Sequence, residues 1–411
     1  MKRFSKWLAL AMAGVLLTSG SVGAATVIWD TEAGKTAAEL MTLTTPAVFD
    51  EALPVAATTA ELTVGGKSAV LMDLTSGMVL YEKNSHEKLP IASVTKIMTL
   101  LLVMEALDSE KITLEDSVTC SSEAASMGGS QIWLEPGEIM TVHELVKAAA
   151  VVSANDACAA LAEHVSGTIE GFVQEMNTRA AELGMTDTHF LDCSGLNDEA
   201  YSCAHDVAVM SRELMKHPLI KQYTTIWMDT LRGGQSQLVN TNKLIRFYQG
   251  ATGLKTGTTS TAGHNLSATA ERNGLGLVAV ILGCETTDER FGGARKLLDY
   301  GFAKYALYTP PWDPSLLTPI PVLRGVQTEV TAEVGEWQPL LVKKGEEKQI
   351  TCAVTVAEDL EAPVAKGQIV GTVELKNGDE VLASYPILAA AAVERLTWGR
   401  AFVRMVQAIC A

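Results

Sequence analysis

Ser93-Val94-Thr95-Lys96 sets a hydroxyl and an amine three residues apart at the head of an apolar run, Ile91 to Leu107. Residues i and i+3 share one face of a helix, so Lys96 reaches the Ser93 hydroxyl. The helix N-terminus adds free backbone N–H groups and the positive end of a dipole. The run is apolar almost all round after Lys96, which predicts a helix buried on every side. Burial disfavours a charged amine and lowers its pKa, as a neutral general base requires. Ser93 is therefore a candidate nucleophile and Lys96 its candidate base. The rival reading is a capping serine and a surface lysine. Ser-x-x-Lys is expected roughly once or twice by chance in a chain of this size. Ser85-His86-Glu87-Lys88 is such a copy, in a polar stretch with no apolar helix behind it.

Two further motifs follow. Ser153-Ala154-Asn155 comes after the apolar run Ala148 to Val152, and Lys255-Thr256-Gly257 sits at a predicted strand after Gly253-Leu254. Each alone is weak. If Lys255 comes close to Lys96, like-charge repulsion lowers the Lys96 pKa further. No His-Glu-x-x-His and no phosphate-binding Gly-x-x-x-x-Gly-Lys-Ser/Thr occurs. The spacing of the histidines and cysteines predicts neither a metal site nor a cofactor.

These motifs need elements to hold them. Thr75-Ser76-Gly77 between Lys67–Met72 and Met78–Tyr81 predicts a hairpin. Helices are expected from about Thr141 to His217. Strands are expected over Gly253 to Leu266 and Val278 to Leu282. Strands thus bracket a helical middle, which predicts one sheet built from early and late strands and packed by helices. Pro310, Pro311, Pro314, Pro319 and Pro321 mark a linker. Beyond it Ile350, Cys352, Val354 and Val356, then Ile369, Gly371, Val373 and Leu375, alternate with polar or smaller neighbours. Asn377-Gly378 fits a tight turn. This predicts a small all-β domain over 315–388.

The ends carry address signals. Met1 to Lys6 is cationic, Trp7 to Leu17 is apolar, and Val22-Gly23-Ala24 resembles a cleavage site. That order predicts a signal peptide over 1–24, since the apolar run is about half of the roughly 20 residues a membrane span needs. Residues 25–60 read as an arm or linker. At the other end, Trp398, Phe402, Met405, Val406 and Ile409 share one helical face, opposite Arg400, Arg404 and Gln407. This predicts an amphipathic helix over 391–411, lying at a membrane surface or docked on its own domain.

The chain of 411 residues carries 48 acidic and 32 basic side chains, a formal net charge of −16. Such acidity argues against nucleic acid as a partner, because phosphate binding needs clustered Lys and Arg. Losing Lys2, Arg3 and Lys6 with the signal leaves the body more acidic still. The seven cysteines show no disulfide framework. Most read as small buried hydrophobes, and Cys193 with Cys203 is the one candidate bridge.

The three motifs, in this order and 60 and then 102 residues apart, resemble those of the penicillin-recognising serine enzymes. Within these the chain looks most like the low-molecular-weight D-alanyl-D-alanine carboxypeptidases. Leu89 to Lys96, Ser153 to Ala157, Gly253 to Gly257, Gly195-Leu196 and Asp288 to Phe291 carry the likeness, over about 66–388. It implies an α+β fold: a β-lactamase/transpeptidase-like catalytic domain over 61–308, with an antiparallel sheet, helices and a helical subdomain, then the all-β domain. It implies that Ser93 forms an acyl-enzyme and Lys96 takes its proton. Ser153 would relay a proton to the leaving D-alanine, and Asn155 would hold the substrate amide. Lys255, Thr256, Gly257, Thr258 and Arg290 would bind the substrate. Ser93 and Thr258 N–H groups would form the oxyanion hole. Implied partners are peptidoglycan stem peptides ending in D-Ala-D-Ala, β-lactam antibiotics, and a membrane surface outside the cell. Thr241 and Thr258 depart from the larger Arg and His of some members, and Arg290 is expected to supply the missing charge. A β-lactamase, a D,D-endopeptidase and a non-catalytic wall-binding protein are the alternatives.

Overall fold

The computed structural model describes residues 62–410. The predicted signal peptide over 1–24 and the arm over 25–60 both lie outside the described residues. The described chain forms two compact units, residues 62–311 with 338–350, and residues 312–337 with 351–410.

The first unit is organised by one antiparallel sheet of β1 (Ser68–Asp73), β2 (Val79–Lys83), β3 (Ala251–Thr259), β4 (Gly263–Arg272) and β5 (Leu275–Cys284). Their spatial order is β2-β1-β5-β4-β3. The first hairpin closes where expected, because the Asp73 carboxylate accepts from the Ser76 N–H at 2.5 Å and the Ser76 hydroxyl at 2.6 Å. The stretch 253–266 is two strands rather than one, turning at 260–262. Early and late strands do share the sheet, with Ala69 opposite Ile281.

Strand β5 explains the architecture. Leu277, Ala279 and Ile281 pack into one core, while Val278, Val280 and Leu282 pack into another. A strand buried on both faces reads as a continuous apolar run. One face is covered by α6 (Thr287–Lys304), through Ala294, Leu297 and Leu298. Covering the other are α1 (Lys96–Asp108) and α5 (Ala204–Met215), with α2 (Val142–Val151), α3 (Asn155–Ser166) and α4 (Ile169–Glu182) building the helical part behind them. In α1 every residue from Lys96 to Met104 is buried, as the all-round apolar pattern predicted. Each large apolar side chain so buried contributes about 1.5–3 kcal/mol. A Thr141–Glu144 capping box starts α2. Near the end of this unit, Tyr305–Tyr308 pairs antiparallel with Leu340–Lys343, so a piece of the segment beyond the proline-rich linker returns to it.

The second unit is mostly strand. A four-stranded sheet contains Ala332–Val334, Glu380–Ala389, Ile369–Asn377 and Ile350–Val356, in that order. The expected hairpin forms one residue later than Asn377-Gly378: Asn377 still pairs with Glu380, and the turn is Gly378-Asp379, with Gly378 at φ +61°. Two alternations differ from expectation. Ile350–Val356 is an edge strand, so Cys352 is exposed. A bulge between Ile369 and Gly371 turns Val370 inward, where it is buried. The terminal helix α7 (Trp398–Cys410) leaves its apolar face uncovered, with Trp398 94% and Ile409 76% exposed. All seven cysteines are free, and Cys193 and Cys203 are not bridged.

Candidate active site

Ser93 stands in a 3-10 turn, Ala92–Thr95, that runs directly into α1. The sequence predicts an α-helix there. The tighter turn serves the pair better, because i and i+3 eclipse in 3-10 geometry. Lys96 Nζ donates to Ser93 Oγ at 2.9 Å and to the Ser194 carbonyl at 2.6 Å. The lysine is fully buried while Ser93 is half-buried and open to solvent on one side. Burial holds the Lys96 amine below its ordinary range, against a partial pull from Cys158, Cys193 and Asp192. One turn along α1, the Thr99 hydroxyl donates to the Cys193 carbonyl at 2.6 Å. Two successive carbonyls of one loop are thus read by one helix face.

That loop is ordered by a residue the sequence did not single out. The Asp192 carboxylate accepts from the N–H groups of Ser194, at 2.6 Å, and of Gly195 and Asn197. Gly195 has φ +80°, and a Cβ there would lie 1.9 Å from the Ala92 carbonyl oxygen. Ala92 itself has φ +51°. The Ala92–Thr95 turn and the 192–197 loop therefore interlock through backbone, with no room for a side chain at Gly195.

Ser153 and Asn155 flank the start of α3. Ser153 has φ +65°, a conformation that costs an L-residue about 1–2 kcal/mol. Its hydroxyl is buried and makes no hydrogen bond among the described residues, and neither does Asn155 Oδ1. Asn155 Nδ2 donates to the Gly128 carbonyl at 2.6 Å. Asp156, also not singled out in the sequence, is fully buried and accepts from the N–H groups of Ile132, Leu134 and Ala157. It pins the 128–134 loop beside Asn155. An acid in the first turn of a helix is so ordinary that only its burial marks it.

Strand β3 forms the third wall. A Cβ at Gly257 would come within 2.5 Å of the Ile91 carbonyl oxygen and 3.1 Å of the Ser93 N–H nitrogen. Only glycine lets the strand lie this close to Ser93. Lys255 is buried, with Nζ donating to the Thr256 carbonyl at 3.1 Å. Burial, then the charge of Lys96, holds its amine well below the ordinary range, and Arg290 adds to this. The Thr256 hydroxyl donates to Thr241 Oγ1 at 2.8 Å. Thr241 is held between Asn240, whose side chain accepts the Asn242 N–H, and Asn242, whose amide grips the Gly253 carbonyl at 2.8 Å. Arg290 is 7% exposed, and one guanidinium nitrogen donates to the Gly257 carbonyl, Thr258 Oγ1 and the Asn265 carbonyl. It braces the strand from within, and its charge acts on Lys255 through the protein. Asn265 in turn donates to the Pro90 carbonyl at 3.1 Å, tying β4 to the approach of Ser93. The second Ser-x-x-Lys copy is otherwise engaged: Ser85 donates to Glu82 and Lys88 pairs with Asp187.

A helix-covered antiparallel sheet with these three motifs around one half-buried serine defines a protein of the penicillin-binding, transpeptidase-like class. The family described as D-alanyl-D-alanine carboxypeptidase matches residues 55–286, and this chain belongs to it. Residues 315–395 match the C-terminal domain of penicillin-binding protein 5. The D-alanyl-D-alanine carboxypeptidase DacF of Bacillus subtilis is 44% identical, over 80% of this chain and 86% of that protein. DacC of Escherichia coli is 35% identical, over 80% and 85%. Penicillin binding protein 5 from Haemophilus influenzae superposes with a TM-score of 0.71 at 30% identity, covering 81% of this chain and 98% of that one.

Proposed function

We infer that this chain is a D-alanyl-D-alanine carboxypeptidase that trims peptidoglycan stem peptides through an acyl-enzyme on Ser93. The observation that carries the reading is the 2.9 Å contact from a buried, pKa-lowered Lys96 amine to the Ser93 hydroxyl. Lys96 accepts the hydroxyl proton as Ser93 Oγ attacks the carbonyl of the penultimate D-alanine. The N–H groups of Ser93 and Thr258 hold the oxyanion, the largest electrostatic contribution in acyl transfer. A proton reaches the leaving amine through Ser153, and D-alanine departs. Water then cleaves the ester and restores the serine. Asn155 holds the substrate amide.

Lys255, Thr256, Gly257 and Thr258 receive the terminal carboxylate, with Arg290 bracing the strand beneath. The substrate carboxylate supplies the counter-charge that Lys255 lacks in the free site, so binding draws a proton onto it. A β-lactam acylates Ser93 in the same way, as the ampicillin-bound form of Penicillin-Binding Protein D2 from Listeria monocytogenes supports at 32% identity over 59% of this chain. The test is mass spectrometry of intact protein after penicillin, with the adduct mapped by peptide, alongside D-alanine release from a D-Ala-D-Ala peptide. A stable adduct on Ser93 with D-alanine release is expected. Rapid repeated β-lactam turnover would make it a β-lactamase instead, and an adduct elsewhere would overturn the nucleophile.

The enzyme works outside the cytoplasm, exported by the 1–24 signal and held at the outer face of the membrane by α7. Among the described residues no helix is long and apolar enough to cross a membrane. The uncovered face of α7, with Phe402, Met405 and Ile409 more than half exposed, supports a helix lying in the interface. Deleting 396–411 is expected to abolish flotation with anionic liposomes while D-alanine release in solution continues. An unchanged liposome-bound fraction would remove α7 as the anchor.

A further inference from the structure

The discarded Ser85–Lys88 copy leads to a second site. His86 follows β2, Asp187 follows α4, and Cys203 caps the N-terminus of α5. One ligand-capable atom from each lies within 4.8 Å of the other two. We propose that His86, Asp187 and Cys203 bind a divalent cation of the zinc type. Imidazole, carboxylate and thiolate together favour zinc over calcium or magnesium, which prefer oxygen alone. Metal–ligand bonds of about 2.0–2.3 Å put tetrahedral ligands some 3.5 Å apart, so closure needs side-chain movement of about an ångström. His86 Nδ1 is already 3.0 Å from Asp187 Oδ2.

The groups that would support these ligands are in place. Cys203 Sγ accepts from the Asp206 N–H at 3.4 Å, which orients the sulfur. The Asp206 carboxylate accepts from the Asp187 N–H at 2.9 Å and from Thr188 at 2.8 Å. The His205 ring stacks on His86 with centroids 4.9 Å apart, and a water would complete four ligands. Entry is from solvent past His86, whose side chain is 62% exposed, while the sulfur marks the inner end. The cation displaces Lys88, now 3.4 Å from Asp187, and releases the thiol proton to water.

The location gives the site a purpose. Leu89 and Ser202 exchange backbone hydrogen bonds of 2.8 and 3.0 Å, joining the 84–96 and 186–206 segments. The three ligands sit at one end of this junction, and Ser93, Lys96 and Ser194 sit at the other. A cation here staples the two segments that form the nucleophile's surroundings.

The test is Co2+ titration of the purified, chelator-treated full chain carrying Cys352→Ser and Cys410→Ser, which removes the two exposed thiols. One equivalent should give a thiolate-to-cobalt charge-transfer band with visible bands of a four-coordinate ion, and Zn2+ should bleach both. Cys203→Ser should lose the charge-transfer band. His86→Ala, a surface change that spares the core, should weaken binding tenfold or more. Labelling by fluorescent penicillin verifies that each variant is folded. No stoichiometric binding, or a band that survives Cys203→Ser or is unmoved by His86→Ala, would overturn the site.

Discussion

Replacing Lys96 by methionine is expected to slow acylation of Ser93 by about 10²–10⁴-fold, the usual contribution of a general base. The side chain is fully buried and its nitrogen has two partners, the Ser93 hydroxyl and the Ser194 carbonyl. Methionine fills similar space but takes no proton. On the proposed mechanism the neutral amine is the base, so acylation should rise as pH climbs through the lowered Lys96 pKa. Stability moves oppositely on substitution. The folded state binds fewer protons than the unfolded chain between that lowered pKa and about 10.4. Native stability therefore rises with pH across this window, and the burial penalty is greatest below it. Lys96→Met removes this contribution, while Lys255 retains its own. Against the gain stands the unpaired Ser194 carbonyl, at about 1–3 kcal/mol. Urea unfolding at several pH values should show a shallower pH slope in the variant, and penicillin labelling should show the loss of rate. A variant that labels at the native rate would remove Lys96 from the chemistry.

Gly195→Ala is expected to be nearly as damaging without touching a reacting group. The left-handed backbone costs alanine about 1–2 kcal/mol. The new methyl group must also push away the Ala92 carbonyl, 1.9 Å from its position, and overpacking of this kind costs about 1–3 kcal/mol. Ala92 immediately precedes Ser93, so relief of the clash moves the nucleophile away from Lys96. A displacement of about 1 Å can cost 10²-fold in rate. The expected result is a lower unfolding midpoint together with slow acylation by any β-lactam. Native acylation in a destabilised variant would show that the loop supports the fold alone.

Much of this was legible because the signals were local. The 73–79 turn, the buried run after Lys96 and the i, i+3 spacing of Ser93 and Lys96 all follow from neighbours in sequence. The apolar run Val278 to Leu282 marked a strand, although its burial on both faces emerged only with the fold. What stayed hidden works through backbone groups at long range. Asp192 organises a loop whose carbonyl holds Lys96, and Asp156 gathers N–H groups some 22 to 24 residues away. An isolated aspartate on an acidic chain gives no sign of this. The 253–266 turn was missed for a related reason, because Ser260, Thr261 and Ala262 carry no strong turn dipeptide. At Ile369 a bulge put Val370 inside instead, while Gly371, Val373 and Leu375 kept the expected face, and periodicity alone does not reveal such a local shift.

The sheet order has a consequence in time. β1 is made early, yet its inner neighbour is β5, and Gly66 meets the Glu289 carboxylate 223 residues later in the chain. Ser93 and Lys96 are likewise made early, while Gly257, which closes over them, comes late. Non-local pairings of this kind form slowly, because a long stretch of chain must be gathered before any contact rewards it. A chain interrupted before β3 thus carries the reactive serine and its lysine with nothing to enclose them. Reactivity toward penicillin should appear only when nearly the whole catalytic unit has been made and folded, so a chain still being made is chemically silent.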